Sequence, residues 1–447
     1  MKSASFLRTS TGRPRKSNRI ALLWDESFLW GIMAYRALTE AGLPFHLLTA
    51  QDVRAGALDE CKGIFVPGGW ASNKLQTLGE TGVARVRQFV DGGGTYVGFC
   101  GGAGLATGES LGLVKIVRVP SARRVPSFSG RIRLTPQPHP LWNGIDDPVF
   151  HAWWPSQFEI GEGVTVLARY GQALPDAFSS DLNVGDISQT GGWAEWETSY
   201  GINLDPARML DLPALVAGRY GHGDVFLSLV HFDTPGDANG AAALKNLWVL
   251  ISDRHGFRTP VERIPAEQLP GTTPLGKVRP SLAGLVNELS EATDGLIQLG
   301  RRSFLWFDRE PSMLQWKRGV RGLEYYTLKV MVDEIRSLIQ VDNCLVPHSA
   351  AANPLEELEL VADSTESRLK SIKIGLLPFI EEARTLLILE RRAMMDHKLT
   401  YAEAKDPQIL ALRQRLFSTK KSHGGLFKGV IDQLDALLYS LVNQTRS

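Results

Sequence analysis

The chain has 447 residues, of which 43% are hydrophobic, and its formal net charge at pH 7 is +1. This length and apolar content can supply a sizeable core to each of two parts. A net charge near zero disfavours a dedicated nucleic-acid or membrane-surface protein. No apolar run approaches the roughly 18 residues that span a bilayer, so neither nucleic acid nor a membrane is an expected partner.

The N-terminal segment, residues 1–18, contains basic but no acidic residues and has no apolar signal core. It is predicted to be a disordered basic lead-in, with a tail for an anionic partner as the alternative. The three cysteines, Cys61, Cys100 and Cys344, form neither a disulfide framework nor a metal-ligand spacing, since Cys344 and His348 lack a second pair. We therefore expect a reducing, cytoplasmic location, no metal and no other cofactor.

Strand and helix patterns alternate in the first half of the chain. Residues 19–24 read as an apolar strand, residues 29–41 as an amphipathic helix and residues 44–48 as the next strand. The alternation predicts an α/β domain over residues 19–255 with a doubly wound, mostly parallel sheet. Ligand sites in such sheets lie beyond the carboxyl ends of strands. Asp25 follows the first strand, and it is either a pocket residue or the N-cap of the next helix.

A cysteine stands where the most informative strand breaks, in the stretch from Thr95 to Leu105. Gly98, Gly101 and Gly102 surround Cys100, and this pattern predicts a nucleophile elbow, a tight strand-to-helix turn that needs small neighbours. Backbone N–H groups at the new helix N-terminus can hold an oxyanion. The alternative is a tight turn with an inert buried cysteine.

Two other segments supply what a nucleophilic thiol needs. An apolar strand ends in Pro67-Gly68-Gly69, whose backbone can approach another strand end closely and offer N–H donors. A second strand, residues 225–230, leads to His231 and then Asp233. A thiol needs a base, and the base needs an orienting acid. Taken singly, these segments are more often an ordinary turn and a structural histidine.

The order of donor loop, cysteine elbow and distant histidine with an acid resembles the class I glutamine amidotransferase-like superfamily. Within it, the chain is similar to the amidotransferase-like domain at the N-terminus of biotin-protein ligases. The resembling segments are Val66-Pro-Gly-Gly69, residues 92–103, His139-Pro-Leu-Trp142 and the aromatic run of residues 150–158. The resemblance covers residues 18–255 and implies a flavodoxin-like sheet of the class I amidotransferase type.

The resemblance also implies roles for individual residues. Cys100 takes the nucleophile position, His231 the base position and Asp233 the orienting acid, while the Gly69 and Gly101 amides form the oxyanion hole. Two departures limit these roles. Glutamine-hydrolysing members carry His-Pro-Glu where this chain has His231-Phe-Asp233, and no Gly-Arg-Gly-Arg-type biotinyl-adenylate motif occurs in the sequence. We therefore do not expect a biotin ligase.

The region from Leu111 to Tyr200 is rich in aromatic residues, most of them interpreted as core. Family position suggests that Trp153 and Trp154 approach the cysteine, so with Asp25 and Gly68 they are the substrate-pocket candidates. Residues 181–190 are predicted to be a surface loop, with a mobile lid as the alternative.

Five prolines between residues 256 and 280 predict an extended linker. From residue 281 to 447 the pattern is helical and predicts an all-α bundle of four to six helices, one of which starts at Asn353-Pro354. Pro378 is expected to kink or restart a helix.

The sequence thus supports two functions. The first is an amidotransferase-like cysteine hydrolase acting on an amide or related acyl group of a small-molecule substrate. The second is a non-catalytic module that binds a small molecule and docks a protein partner through the helical part.

Overall fold

The computed structural model describes residues 19–256, 279–309, 313–341, 354–396, 405–419 and 422–446. The basic lead-in, residues 257–278 of the expected linker, Asn353, and Cys344 with His348 lie outside these ranges. The helix predicted to start at Asn353-Pro354 is described from Pro354 onward.

The first part of the chain contains one eleven-stranded sheet, a separate two-stranded sheet and seven α-helices among its described residues. The strands are β1 Arg19–Leu23, β2 His46–Leu48, β3 Cys61–Val66, β4 Thr95–Phe99, β5 Ile116–Arg118, β6 Phe128–Pro136, β7 Val149–Trp153, β8 Phe158–Ile160, β9 Thr165–Ala173, β10 Phe178–Ser179, β11 Leu182–Asn183, β12 Pro213–Tyr220 and β13 Gly223–Ser228. The helices are α1 Leu29–Glu40, α2 Ala50–Ala55, α3 Ala71–Asp91, α4 Gly101–Leu105, α5 Val184–Thr190, α6 Trp193–Tyr200 and α7 Ala238–His255.

Parallel strands form the half of the large sheet that carries the predicted doubly wound fold. Their order is β2, β1, β3, β4, β13, and each neighbouring pair is parallel. Val66 pairs with Gly98, and Phe99 pairs with Ser228. This register brings the carboxyl ends of β3, β4 and β13 to one edge. The segments that carry Gly69, Cys100 and His231 therefore leave the sheet side by side.

The other half of the sheet is antiparallel and was not predicted, apart from its first hairpin. β12 pairs with β13 as the sequence predicts, with Leu215 opposite Ser228. Beyond β12 the sheet continues through β9 and β6, to which both β7 and β10 are added, and β11 closes the edge.

The prediction of a surface loop at residues 181–190 is wrong. Residues 182–183 form β11 and residues 184–190 form α5. The Asn183 side chain accepts a hydrogen bond from the Asp186 N–H at 3.0 Å, and Gly191 ends the helix at φ 71°. An asparagine N-cap and a left-handed glycine stop are the local signals of a short helix.

The second part is the predicted helical bundle. Its described helices are α8 Pro280–Arg302, α9 Gly322–Val341, α10 Pro354–Met395, α11 Pro407–Phe417 and α12 Gly425–Arg446. The α/β class followed by a helical part is confirmed. One detail differs, because an antiparallel hairpin of β14 Trp306–Arg309 and β15 Met313–Trp316 interrupts the all-α pattern. Pro378 lies inside α10, so of the two expected effects it does not restart a helix.

The two parts contact each other directly. Lys428 of α12 donates to Glu26 at 2.9 Å, in the turn after β1. Arg309 at the end of β14 donates to Ser129 Oγ of β6 at 3.0 Å. Arg36 of α1 also donates to Glu334 of α9. The helical part therefore packs against the turn after β1, α1 and β6.

Candidate functional site

Cys100 stands between β4 and α4 in a strained backbone conformation, with φ 50° and ψ −104°. Its N–H donates to the Ser228 carbonyl at 2.8 Å, which ties the turn to β13. A Cβ added to Gly98 would lie 2.6 Å from the Gly102 carbonyl oxygen, and a Cβ added to Gly102 would lie 1.9 Å from the Val66 carbonyl oxygen. This turn therefore requires glycine at both positions, and it leaves the cysteine partly exposed.

Four residues with a strained backbone follow the ends of β1, β4 and β7. Glu26, Phe28, Cys100 and Trp154 all have positive φ, and in the described part of the chain only four other non-glycine residues do. Such a conformation costs about 1–3 kcal/mol and persists only where the surrounding structure enforces it. This edge of the sheet is therefore the candidate functional site.

The Pro67-Gly68-Gly69 backbone passes directly beside the cysteine turn. A Cβ on Gly101 would lie 1.9 Å from the Gly69 carbonyl oxygen, and a Cβ on Gly68 would lie 2.8 Å from the Trp30 ring. Gly69 has φ 109°, a conformation that favours glycine. Outside helices and strands, the described residues include no backbone hydrogen bond donated by the N–H of Gly69 or Gly101.

His231 and Asp233 form a fully buried pair. His231 Nδ1 lies 2.9 Å from Asp233 Oδ1, and Nε2 has no hydrogen-bond partner among the described residues. Burial acts to lower the pKa of His231, but the Asp233 carboxylate and then the Cys100 thiol outweigh it, and the pKa rises to about 10. Cys100 is thus close enough to affect the imidazole, and a protonated imidazole suits a neighbouring thiolate.

A second histidine–aspartate pair lies next to the first and was not predicted. His151 Nδ1 lies 2.8 Å from Asp237 Oδ2, and the His151 carbonyl accepts the His231 N–H at 2.7 Å. The His151 ring stacks on Trp153 with the ring centroids 5.3 Å apart. The partners of this pair are 86 residues apart in the chain, so only the folded structure reveals it.

Aromatic side chains wall the site. The Trp153 carbonyl oxygen lies 4.0 Å from Cys100 Sγ, and the buried Trp153 indole donates to Thr234 Oγ1 at 3.2 Å. Trp30 stacks on His231 with the centroids 4.8 Å apart, and its centroid lies 6.2 Å from that of Trp154. Trp153 therefore lies beside Cys100, while Trp154 contacts Trp30, the tryptophan that stacks on His231. Trp30 was missed because its position on α1 is typical of an ordinary core residue.

The helical part covers this aromatic wall. Trp316 of β15 stacks on Trp154, with the centroids 5.2 Å apart. Met313 packs in one buried cluster with Trp30 and Trp153, and the Arg309 guanidinium lies 5.5 Å from the Trp153 centroid. Side chains from beyond residue 300 therefore enclose the neighbourhood of Cys100, which the sequence did not indicate.

Asp25 occupies a different environment from the other candidates. Its carboxylate accepts the N–H of Ala50, the first residue of α2, whose N-cap is Thr49. Asp25 is therefore not the N-cap of α1, and burial raises its pKa. It lines a cavity of about 730 Å³ between the turn after β1 and α12. Neither Cys100 nor His231 lines that cavity.

A family model supports the resemblance that the sequence suggested. Residues 57–111 match the family model described as biotin-protein ligase, N terminal. The matched segment includes β3, the Pro67-Gly68-Gly69 loop, β4 and the Cys100 turn. No curated protein matches the whole chain or part of it.

Several solved structures match a little over half of this chain. A GMP synthase subunit from Thermoplasma acidophilum is 13% identical, with a TM-score of 0.36, and the match covers 54% of this chain and 96% of that one. A ThuA-like protein from Bacteroides uniformis is 12% identical, with a TM-score of 0.33, over 55% and 95%. A β-galactosidase from Bacillus circulans sp. alkalophilus is 13% identical, with a TM-score of 0.33, over 54% and 32%.

Within the described ranges, no three His, Cys, Asp or Glu side chains converge in a way that could hold a metal ion. Within the same ranges, no helix has the length and apolar character needed to cross a bilayer.

Proposed function

We propose that the protein is an amidotransferase-like cysteine hydrolase that acts on an amide or a related acyl group. The observation that carries the proposal is the position of Cys100, partly exposed on a strained turn and close enough to the buried His231 to raise the pKa of that histidine. The Asp233 carboxylate at His231 Nδ1 supports it, because an oriented base is what a nucleophilic thiol needs.

In the proposed reaction, Cys100 Sγ attacks the carbonyl carbon of the substrate while His231 Nε2 holds the thiol proton. The carbon–nitrogen bond then breaks, and the nitrogen takes this proton and leaves as ammonia or an amine. Water gives a proton to His231 and attacks the thioester, which releases the carboxylic acid and regenerates the thiol. In a transfer reaction, the released ammonia passes to an acceptor instead of leaving.

Two further groups have roles in this proposal. The N–H groups of Gly69 and Gly101 would hold the oxygen that becomes negative during the attack. Asp233 would keep the imidazole in the tautomer that leaves Nε2 facing the thiol. Biotin ligation is not part of the proposal, since the sequence contains no Gly-Arg-Gly-Arg-type biotinyl-adenylate motif.

The test is a screen of primary amides and small acyl compounds for ammonia or acid release. Acid-quenched samples are analysed by peptide mass spectrometry for an acyl group on Cys100. We expect turnover and an adduct in the wild type and neither in Cys100→Ser. Cys61→Ser is the matched control, because Cys61 is buried and burial raises its pKa to about 12. Turnover that survives Cys100→Ser would refute the proposal.

The second candidate is a non-catalytic protein that binds a small molecule and docks a partner through its helical part. The cavity of about 730 Å³ beside α12 favours it, because its lining excludes Cys100. A thermal-shift screen of metabolites distinguishes the two candidates. A ligand that stabilises the wild type and Cys100→Ala equally, with no turnover of any compound, would favour the binding protein.

A further inference from the structure

A buried lysine lies behind the candidate site. Lys74, in the first turn of α3, is only 1% exposed. Its ammonium group donates to the Ser27 hydroxyl at 2.5 Å and to the Asp25 carbonyl at 3.1 Å. Burying a charge is costly unless partners compensate for the lost water. The cost of burying this ammonium, which joins α3 to the turn after β1, therefore needs a structural or functional explanation.

The lysine supports the loop that faces the cysteine. A Cβ built on Gly69 would lie 3.4 Å from Lys74 Cε and 2.5 Å from the Glu26 carbonyl oxygen. Gly69 in turn touches the cysteine turn, because its carbonyl oxygen lies 1.9 Å from the Cβ position of Gly101. A continuous set of contacts thus leads from Lys74 through Gly69 to the residue after Cys100.

The charged groups that face Lys74 come from three elements. Burial lowers the pKa of Lys74 to about 7, against the opposite influence of Glu26 and Asp25 in the turn after β1, Asp435 on α12 and Cys100. A positive charge near a thiol favours the thiolate form of that thiol, because opposite charges attract.

We propose that Lys74 is a positioning residue of the Cys100 site, which fixes the Gly69 loop and supplies a positive charge that stabilises the Cys100 thiolate. This inference rests on the proposed function and extends it, because the same charge would favour the oxyanion held by Gly69. The sequence offered no signal for it, since a lysine in an amphipathic helix is normally solvated.

The test is the pH dependence of Cys100 alkylation by iodoacetamide, followed by peptide mass spectrometry from pH 5 to 9. In Lys74→Met, the pH of half-maximal rate should rise by about one pH unit, so that the rate at pH 6 falls about tenfold. The alkaline plateau should stay close to the wild-type rate, because the thiolate itself is unchanged. Lys74→Arg, which keeps the charge, should give a profile close to that of the wild type.

Two further variants make the result decisive. Ser27→Ala removes the ammonium's closest acceptor and favours its neutral form, so it should shift the profile in the same direction even if Lys74→Met does not fold. Lys115→Met is the control, since Lys115 lies on the surface and pairs with Glu162. Profiles of Lys74→Met or Ser27→Ala that superimpose on the wild type would overturn the inference.

His231→Gln is measured in the same series and reports on the proposed function alone. If its Cys100 alkylation equals that of the wild type, the proposed function fails whatever the Lys74 variants do. If His231→Gln slows alkylation while the Lys74 and Ser27 variants do not change it, only the role of Lys74 is refuted.

Discussion

The geometry of the cysteine turn predicts how strongly a substitution at a glycine of α4 changes stability and Cys100 reactivity. In Gly102→Ala, the new Cβ would lie 1.9 Å from the Val66 carbonyl oxygen and 3.0 Å from that of Pro67. Both are backbone atoms at the end of β3, so no side-chain rotation can relieve the contact. Real Cβ contacts essentially never fall below 3.0 Å, so α4 and β3 must separate by about 1.1 Å.

That separation has two measurable consequences. Overpacking of this kind costs about 1–3 kcal/mol, and we expect the upper end because only backbone can move. A displacement of about 1 Å at a reactive group lowers rates by on the order of a hundredfold. Gly102→Ala should therefore lower both the free energy of unfolding and the rate of Cys100 alkylation in the folded protein.

Gly104→Ala, in the same helix, is the matched control. Its Cβ would lie 3.5 Å from the Arg118 side chain, an ordinary contact with a group that can move. Removing a helical glycine should leave stability unchanged or raise it by up to about 1 kcal/mol. Urea denaturation followed by tryptophan fluorescence measures both variants. If Gly102→Ala is as stable as Gly104→Ala, the close approach of α4 to β3 is wrong.

Three further predictions concern the His231–Asp233 pair, the buried His423 and the contact between the two parts. Asp233→Asn should slow Cys100 alkylation by on the order of a hundredfold, because His231 loses its charge partner. Asp237→Asn, in the neighbouring histidine–aspartate pair, is the control. Superimposable pH profiles of Asp233→Asn and wild type would remove Asp233 from the site. Burial lowers the pKa of His423 to about 4. The unfolded state then binds more protons between pH 6.5 and 4, so the free energy of unfolding should fall by about 3 kcal/mol as the pH drops through that range. In urea denaturation at pH 4.5 and 7.5, His423→Gln should lack this loss, and an unchanged pH dependence would contradict the buried position. Limited proteolysis should cut the chain first within residues 256–280. The two fragments should then co-elute in gel filtration, because the two parts are in contact. Fragments that elute separately would argue against that contact.

Local sequence patterns predicted the features that depend on neighbours in the chain. The Cys100 turn, the Pro67-Gly68-Gly69 loop and the strand before His231 could be found because each is a run of apolar residues ending in a residue of special chemistry. The parallel half of the sheet follows from strand and helix alternation. The resemblance to a known family then placed these segments in one fold.

The antiparallel half of the sheet was missed although one signal for it exists. In β6, buried Ile132 and Leu134 alternate with exposed Arg131 and Arg133, which is the pattern of a strand with one face on the core. The hairpin of β14 and β15 was missed because its strands have only four residues each and lie between long helical patterns.

The surroundings of Cys100 could not be predicted, for a different reason. Trp30, Lys74 and Met313 lie on elements far apart in the chain, and each looks locally like an ordinary helix or strand residue. Only tertiary packing brings them to one edge of the sheet. The sequence indicates which residues have reactive side chains. The folded chain shows which residues enclose them and which charged groups lie nearby.

The central claim is that Cys100 is an activated thiol that depends on His231. The most direct measurement is competitive labelling at pH 7 with limiting iodoacetamide, in which peptide mass spectrometry compares Cys100 with Cys61 and Cys344 in the wild type and in His231→Gln. The account predicts that Cys100 reacts fastest in the wild type and that His231→Gln slows Cys100 alone, by on the order of tenfold or more. Faster labelling of Cys61 or Cys344 than of Cys100, or a Cys100 rate that is unchanged in His231→Gln, would contradict it.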